Sequence, residues 1–591
     1  MNDGVPASDR RFNIFAALSF VLLMVCIGVP QWWRLTRVYR ASLPYADIAK
    51  LKDSVLVLPV SVTLIAGDEL IEKMLSDQEF ITQVESTVKK DLYRIKIALE
   101  LTKRVSSAVE KPVLASKFGL IQDLENALHK ASVSGRGKKV HSQDIKGDGI
   151  EIFVLHRPQD VRIRTHFGSG SRVFVVGNFE SEMKNNLSNI LSKIILHGYL
   201  RVGDLMESVG RHTRDLGNPM ANATKSGSLS VGILNPKLTV EVHIVDPEPI
   251  KCSQRFVAAR IVDDPRIKQF LSDFRDVTDI KVKSQILFNV DFTHDPIPDG
   301  NYPTSYYLDP HSLQHIINPI ETYLGTDVTT EPVYHMLLYV TPSSLIPLYV
   351  PSPIRFTKPL GHMAIPSSDP IKKPLPLIDS TLRPASYNSF VVSGWGSVTL
   401  VNANRTCADG QNLIVDNVSL KTAKQAVVAN LRKFFGLKLP KDFERTPTAS
   451  LADWEVQSLR YRALVEYTFS TIRTLSSLTK LLDEITNIVI NDEVAAEIAS
   501  AVSEMKNVTD GTSSEDGGHW RVQSMLKSAK RAFEESEKAF FDPSLLSLLY
   551  FPDDQKYAVY IPLFLPVGVP VLGSIVFIWK HLRSPAAEKM E

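Results

Sequence analysis

The sequence predicts an α/β lumenal domain (a sheet covered by helices) followed by an α-helical region, with one transmembrane helix at each end. Two long apolar runs near the termini predict the transmembrane helices. Between about residues 54 and 437, strand-like and helix-like segments alternate, which is typical of a sheet that buries its faces under helices. After residue 449 the segments are long and nearly free of Gly and Pro, which indicates helices.

Length, charge and cysteine content exclude several classes of protein. A chain of 591 residues is too long for one ordinary hydrophobic core, so two or three domains are expected. A formal net charge of +2 argues against a nucleic-acid-binding protein, which needs a concentrated excess of Lys and Arg. Three cysteines cannot form a disulfide framework. Cys26 lies in the first apolar run, and whether Cys252 and Cys407 pair stays open.

The first apolar run covers residues 12–30 and contains no charged residue. Because a helix rises ~1.5 Å per residue, a run of this length is close to the ~30 Å of the hydrocarbon core. Trp32 and Trp33 follow it, as is typical of a membrane interface. The alternative is a cleaved signal peptide, but cleavage needs small residues before the cut, and this run ends in Val29 and Pro30. An uncleaved anchor is therefore favoured.

The second apolar run covers residues 557–579 and is followed by Lys580, His581 and Arg583. Positive residues favour the cytosolic side of a membrane, so the C-terminus is predicted to be cytosolic. The charges around the first run point the other way, because three arginines follow it closely and two precede it. Two spans place both termini on the same side, and the second run therefore predicts that the middle of the chain is lumenal.

Proline recurs every four residues in the second run, at Pro562, Pro566 and Pro570, and Gly573 continues the same helical face. Each proline removes a backbone hydrogen bond, and the carbonyl left over needs a partner or a local distortion. Small residues also allow another helix to approach closely. We expect this face to pack against partner spans, and the alternative is a kinked, solitary anchor.

The body between the anchors contains both element types. Its strand-like segments are β-branched or aromatic and begin at Ser54, Glu151, Arg172, Lys237, Ser284, Val333 and Phe390. Helices are predicted between them at residues 81–105, 182–210, 265–277 and 419–435. Two segments are predicted as loops: residues 132–149 are polar and basic, and residues 351–384 are rich in proline. The basic loop is interpreted as solvated rather than as a partner-binding patch.

The C-terminal region is predicted to contain helices at residues 452–487, 493–505 and 520–541. The first of them carries one apolar stripe at spacings of three, four and seven residues. Its members are Tyr461, Val465, Ile472, Leu475, Leu482 and Ile485. Packing within the chain is preferred to an intermolecular coiled coil.

These predictions divide the chain into six parts. They are a cytosolic tail (1–11), a first transmembrane helix (12–33), a lumenal α/β domain (34–440), a lumenal helical region (441–555), a second transmembrane helix (556–579) and a second cytosolic tail (580–591).

No motif indicates catalysis or a bound cofactor. The sequence has no P-loop, dinucleotide fingerprint, nucleophile elbow, HExxH or CxxC. His311 and His315 share the spacing of zinc ligands, but Asp309 suits a helix N-cap there, and no metal is expected. Neither Cys252 nor Cys407 lies in a context typical of an activated thiolate. The predicted protein has no catalytic, cofactor-binding or metal-binding residues. The alternatives to a non-catalytic protein are a membrane-anchored lumenal enzyme with an unrecognised active site and a plasma-membrane receptor or transporter.

Five N-x-S/T triplets are candidate glycosylation sites, which is compatible with a lumenal domain. They begin at Asn186, Asn222, Asn404, Asn417 and Asn507.

Several long, non-repetitive segments resemble one family. The segment FFDPSLLSLLYFPDDQKYAVYIPLFLP at residues 540–566 resembles the C-terminal end of the PIG-S family, the class S subunit of the glycosylphosphatidylinositol (GPI) transamidase. Four more matching segments lie at residues 28–45, 284–288, 305–321 and 485–497, so the resemblance covers essentially the whole chain. The chain departs from the family in a longer proline-rich stretch, and it lacks a sequon that some members carry just before Ser284. Asn404 falls where relatives have a sequon and is the best glycosylation candidate.

The resemblance implies a two-span glycoprotein of the endoplasmic reticulum membrane, with a large lumenal domain and both termini cytosolic. It implies a non-catalytic scaffold subunit of the complex that joins GPI anchors to the C-terminus of precursor proteins. The implied partners are PIG-K, which carries the nucleophilic cysteine, PIG-T, PIG-U and the GPI anchor attachment protein. Direct contact with the GPI lipid or with the precursor stays open. The candidate contact segments are the two juxtamembrane blocks and residues 306–321, although core packing is the preferred interpretation of the last.

Overall fold

A computed structural model gives the fold, in two compact units that are described separately. Unit 1 comprises residues 1–49, 474–502 and 535–591, and unit 2 comprises residues 50–473 and 503–534. The structure describes residues 7–583 apart from 37–38, 90–91, 108–109, 116–120, 135–148, 161, 180–183, 214–233, 249–260, 262, 293–294, 299–304, 310–312, 314–316, 326–330, 351–385, 393, 404, 408–412, 416, 438, 441–442, 446–450, 486–487, 510–520 and 547–552.

The strands all belong to unit 2 and are numbered in chain order. They are β1 (Leu56–Ala66), β2 (Ile95–Val105), β3 (Gly149–His156), β4 (Arg164–Phe167), β5 (Arg172–Gly177), β6 (Lys237–Asp246), β7 (Asp279–Phe288), β8 (Ile297–Pro298), β9 (Tyr306–Tyr307), β10 (Val333–Val340), β11 (Leu348–Tyr349), β12 (Ser389–Val392), β13 (Gly396–Val401), β14 (Arg405–Cys407), β15 (Leu413–Val415) and β16 (Glu444–Arg445).

The α-helices are numbered in the same way. They are α1 (Ala7–Leu23), α2 (Val29–Thr36), α3 (Tyr45–Lys52), α4 (Glu69–Ser76), α5 (Gln78–Val88), α6 (Glu110–Ala115), α7 (Ile121–Ser134), α8 (Lys184–Lys193), α9 (Val202–Thr213), α10 (Pro265–Ser272), α11 (Ile317–Glu321), α12 (Asn417–Phe434), α13 (Asp453–Glu484), α14 (Asp492–Thr509), α15 (Arg521–Phe540), α16 (Pro543–Leu546) and α17 (Asp553–Arg583). A short π-helical segment, Met24–Gly28, joins α1 to α2. A second one, Ile194–Tyr199, follows α8.

Two mostly parallel sheets organise unit 2. The six-stranded sheet has the order β16-β4-β5-β3-β1-β2, and the five-stranded sheet has the order β12-β13-β10-β6-β7. Their central strands run parallel, so each connection between them must cross a face of the sheet. Strands covered on both faces are nearly continuously apolar, and β6 is buried at every residue after Lys237. The predicted α/β architecture is confirmed, with two such sheets where one was expected.

Most predicted strands form where expected, but the predicted helix at residues 81–105 is wrong in its second half. Helix α5 ends at Val88 and the chain enters β2 at Ile95, which pairs in parallel with β1. The side chains of β2 alternate between buried and exposed from Ile95 to Glu100, which is the period of a strand. Its Leu, Lys, Ala and Glu residues are good helix formers, and their type obscured this alternation.

Two other predicted elements are divided. The predicted helix at residues 182–210 becomes α8, a π-helical segment and α9, with a break at Arg201, whose φ is 54°. The single strand predicted from Phe390 is the antiparallel hairpin β12–β13. Its turn contains Gly394 at φ +79°, a left-handed conformation that glycine adopts without steric cost. Of the predicted loop at residues 132–149, residues 132–134 instead end α7 and Gly149 begins β3. Residues 135–148 and the predicted loop at residues 351–384 lie outside the described residues.

Within unit 2, the first part of α13 connects the two sheets. Tyr461 donates a hydrogen bond of 2.8 Å to the carbonyl of Pro59 in β1, and Tyr467 donates one of 2.8 Å to the carbonyl of Val277 just before β7. Both side chains are fully buried. Five members of the predicted apolar stripe, all but the half-buried Ile485, are also buried, so α13 packs within the chain, as the preferred interpretation requires.

A buried ionic cluster fixes α9 to α13. Glu466 is 1% exposed, and its two carboxylate oxygens lie 2.9 Å from Nε2 of His212 and 3.0 Å from Nη2 of Arg211. Burial alone would raise the pKa of Glu466, but the hydrogen bond and charge of His212, together with the charge of Arg211, lower it to about 2. Glu466 is therefore ionised in the folded chain at neutral pH.

Candidate membrane-proximal assembly site

The first predicted anchor is a continuous helix from α1 through the π-helical segment to α2. Its most apolar window, Ile14–Gln31, has a mean hydropathy of 2.2. Among the residues that the structure describes, this is the one helix that is long and apolar enough to cross a membrane. Helix α17 is 31 residues long, but its described apolar stretch, Phe564–Lys580, is shorter. The second anchor therefore stays a proposal.

Within unit 1, α1 packs against α17. The half-buried residues of α1 and of the segment after it recur every three or four positions, which places them on one face of the helix. They are Ile14, Ala17, Val21, Met24 and Gly28. The half-buried residues on α17 follow the same spacing, and they include Tyr560, Gly568, Val571, Ser574 and Ile578. The remaining apolar side chains of both helices are largely exposed, as in helices that face lipid.

The prolines that recur every four residues, together with Gly573, lie on a different face of α17, which we call the proline face. Pro562, Pro566, Pro570 and Gly573 are all exposed, and all three prolines lie inside the helix. At 3.6 residues per turn, the centre of this face lies about 130° around the helix from the centre of the face that meets α1. The face predicted for partner contact is therefore left open by the packing within the chain.

The exit of the first helix is bonded to the segment that precedes α14. Tyr39 accepts a backbone hydrogen bond from Ile490, and the Ile490 carbonyl accepts one from Ala41, at 3.1 and 3.0 Å. Nη2 of Arg40 donates to the carbonyl of Leu482, 2.7 Å away, in the last turn of α13, where helix carbonyls lack partners within the helix. The Tyr39 hydroxyl donates to Asp492, which raises the pKa of Tyr39.

The same segment also contacts the helices that lead into α17. Oδ1 of Asn491 caps α14 by accepting from the backbone N–H of Val494 at 2.9 Å, and its Nδ2 donates to Oγ of Ser544 at 3.3 Å. Nζ of Lys538 forms an ion pair of 2.5 Å with Glu497 on α14. We call residues 39–41, 490–497 and 538–544 the juxtamembrane junction. In this junction, residues from the segments that follow α2 and precede α17 both bond to residues 490–497.

Of the remaining predicted residues, those that the structure describes lie on separate elements. Asn186 on α8 and Asn507 on α14 are exposed, Asn417 begins α12, and Asn222 and Asn404 lie outside the described residues. His311, His315 and Cys252 also lie outside them. Cys407 ends β14, and Cys26 is exposed in the π-helical segment.

Comparison with known proteins identifies the family. The sequence profile of the family described as PIG-S, the phosphatidylinositol-glycan biosynthesis class S protein, matches residues 19–585. The chain belongs to the PIG-S family. The cattle (Bos taurus) and human proteins named GPI-anchor transamidase component PIGS are each 30% identical to it, over 588 and 582 residues. Both alignments cover 96% of this chain and 95% of the relative. The Saccharomyces cerevisiae GPI transamidase component GPI17 is 20% identical over 610 residues.

The juxtamembrane junction unites three of the segments on which the PIG-S resemblance was recognised: residues 28–45, 485–497 and 540–566. Sequence reasoning identified these segments but did not predict that they meet, because Tyr39 and Asp492 lie 453 positions apart. The family resemblance was the signal that singled out these segments.

Proposed function

We propose that the chain is a non-catalytic subunit of the GPI transamidase complex, supporting the transfer of GPI anchors to the C-terminus of precursor proteins. The observation that carries this proposal is the near full-length match to relatives named as components of that complex. The partners that we propose are PIG-K, PIG-T, PIG-U and the GPI anchor attachment protein.

The proposed location is the endoplasmic reticulum membrane, with α1 and α17 as its two spans and both termini cytosolic. The packing of α1 on α17 supports this arrangement, because two apolar helices that lie side by side can cross one bilayer together. Both sheets and the helical region would then lie in the lumen, where Asn186 and Asn507 are exposed for glycosylation. Asn404 remains the preferred glycan site.

A subunit of this kind contributes to catalysis by orientation. Holding a nucleophile, a protein signal and a lipid amine in one geometry lowers the entropic part of the barrier, which can account for roughly 7–11 kcal/mol in well-oriented reactions. The juxtamembrane junction fits this role, because it couples the terminal helices to the helices of the extramembrane part of unit 1. The open proline face of α17 is the proposed contact with the spans of other subunits.

Deletion of the chain from cells tests the proposal. Surface display of GPI-anchored proteins is expected to disappear, and precursors that retain their C-terminal signal are expected to accumulate. Flow cytometry of a GPI-anchored reporter and immunoblotting of its precursor measure the two effects. Normal display in the deletion line would contradict the proposal.

The same cells distinguish a scaffold from an enzyme. Re-expression of the wild-type chain should restore display, and so should Cys252→Ala, Cys407→Ala, His311→Ala and His315→Ala variants at equal protein levels. Loss of display in one of these variants, with assembly of the complex intact, would favour a catalytic role.

A further inference from the structure

Three ligand-type side chains converge in the five-stranded sheet, outside the junction described above. Glu241 and His243 are two residues apart on β6, so their side chains point to the same face of the sheet. His335 lies on the neighbouring strand β10, directly opposite Glu241 in the parallel register. A carboxylate and two imidazoles thus share one face of the central strands. Glu241 and His243 are buried, and the side chain of His335 is 19% exposed.

The distances between the ligand atoms are those of a metal site. Nε2 of His243 lies 3.0 Å from Nδ1 of His335 and 3.6 Å from Oε2 of Glu241, and Nδ1 of His335 lies 3.5 Å from the same Oε2. A tetrahedral Zn²⁺ ion with bonds of roughly 2.0–2.1 Å places neighbouring ligand atoms about 3.3–3.4 Å apart. The three observed separations lie on both sides of that value, so small movements of the side chains would bring all three ligand atoms to the distances that a bound Zn²⁺ requires.

Hydrogen bonding alone satisfies this arrangement poorly. The one hydrogen bond within the trio joins Nε2 of His243 and Nδ1 of His335, whereas Oε2 of Glu241 lies 3.6 and 3.5 Å from these two nitrogens, which is too far for a good hydrogen bond. One cation bonds to all three.

The surroundings of the trio combine acidic and aromatic side chains, and Lys283 lies directly opposite Glu241 on β7. The negative charges of Glu241 and Glu321 both act on His335. The indole of Trp395 stacks on the His335 ring, with 5.0 Å between the ring centroids, and fixes its orientation. Nδ1 of His243 is buried and has no hydrogen-bond partner among the described residues. Because a partner at that nitrogen typically contributes 10–100-fold in affinity, we expect moderate binding.

We propose that Glu241, His243 and His335 form a Zn²⁺-binding site, with a fourth position open to water or to a ligand atom. Two imidazoles and one carboxylate are a donor set that zinc uses with an exchangeable fourth ligand. The ion would connect β6 to β10. Sequence analysis expected no metal ligands, because His243 and His335 are 92 positions apart and neither lies in a zinc motif.

Metal analysis of the full-length chain, produced without other subunits in mild detergent, tests the site. After chelator treatment, incubation with Zn²⁺ and removal of excess metal, we expect about one Zn²⁺ per chain by mass spectrometry. Glu241→Gln, His243→Gln and His335→Gln should each reduce bound zinc at least tenfold. His197→Gln, an exposed histidine of unit 2, is the matched control and should retain it.

A second measurement uses the wild-type chain, so it tests the site even if the variants do not fold. Co²⁺ bound to the wild-type chain should give the intense visible absorption of a tetrahedral site, and Zn²⁺ should remove it and raise the Tm. No stoichiometric zinc in the wild-type chain would overturn the proposal and leave a hydrogen-bonded trio. Equal zinc content in a well-folded His335→Gln variant and in the wild type would overturn it as well.

Discussion

Replacement of Glu466 by Ala should lower the free energy of unfolding by about 3–5 kcal/mol, the cost of breaking a buried ion pair by removing one partner. The substitution removes a carboxylate that is 1% exposed and leaves Arg211 and His212 facing each other without their shared counterion. Since this cluster fixes α9 to α13, we expect the loss to affect the whole of unit 2. Thermal and urea unfolding of the detergent-solubilised chain, followed by tryptophan fluorescence, measure it.

The control is Glu484→Ala on the same helix. Glu484 is exposed and lies 3.9 Å from Lys480, an ion pair of the kind that contributes about 0.3–0.5 kcal/mol. Its loss should therefore be barely measurable. Equal effects of the two substitutions would show that the Glu466 cluster contributes no special stability.

The contribution of Glu466 should also depend on pH. Its pKa is lowered from about 4.5 in the unfolded chain to about 2 in the folded chain, so the folded state favours the ionised form. The stabilisation is complete above pH 4.5 and is lost as the pH falls toward 2. Between pH 6 and pH 3, the difference in unfolding free energy between the wild type and Glu466→Ala should shrink by about 2 kcal/mol. A difference that stayed constant would contradict this assignment.

Gly573→Trp should strongly reduce the amount of other transamidase subunits that co-purify with the chain, to roughly a tenth of the wild-type level, a change of about 1.4 kcal/mol. Gly573 is exposed on the proline face of α17, where an indole would prevent close approach of a partner helix. Quantitative immunoblotting after affinity purification in mild detergent measures the effect.

Leu572→Trp provides the matched control. Leu572 is 64% exposed and belongs neither to the proline face nor to the face that packs on α1. Lipid can accommodate an indole there, so co-purification should remain normal. Equal losses in both variants would mean that α17 tolerates no bulky substitution, and the proline face would lose its special role.

Local patterns were sufficient to predict the parallel strands and the long helices. β10 is a short, mostly apolar run, and α13 carries a stripe that only a helix aligns. The same reasoning failed at β2. Its residues have high helix propensity, but they form a strand because they pair with β1. Propensity is a weak local preference, and tertiary pairing overrides it.

The candidate sites depend on contacts that no local pattern encodes. Glu241 and His243 have the two-residue spacing of one strand face, but His335 joins them only through the register of β6 with β10. Arg40 meets Leu482 across 442 positions, so the junction could be predicted only as separate segments that share a family resemblance. A four-residue proline repeat on a helix is a local property that the sequence displays directly, whereas the face of α17 that meets α1 depends on tertiary packing. The contact of the proline face with partner spans stays a prediction.

Purification of the tagged wild-type chain from cells in mild detergent tests the central claim most directly. If the chain is a subunit of the GPI transamidase, then PIG-K, PIG-T, PIG-U and the GPI anchor attachment protein should co-purify with it in near-stoichiometric amounts, and the purified complex should transfer a GPI anchor to a precursor protein. Isolation of the chain alone, under conditions in which those subunits remain bound to one another, would contradict the account.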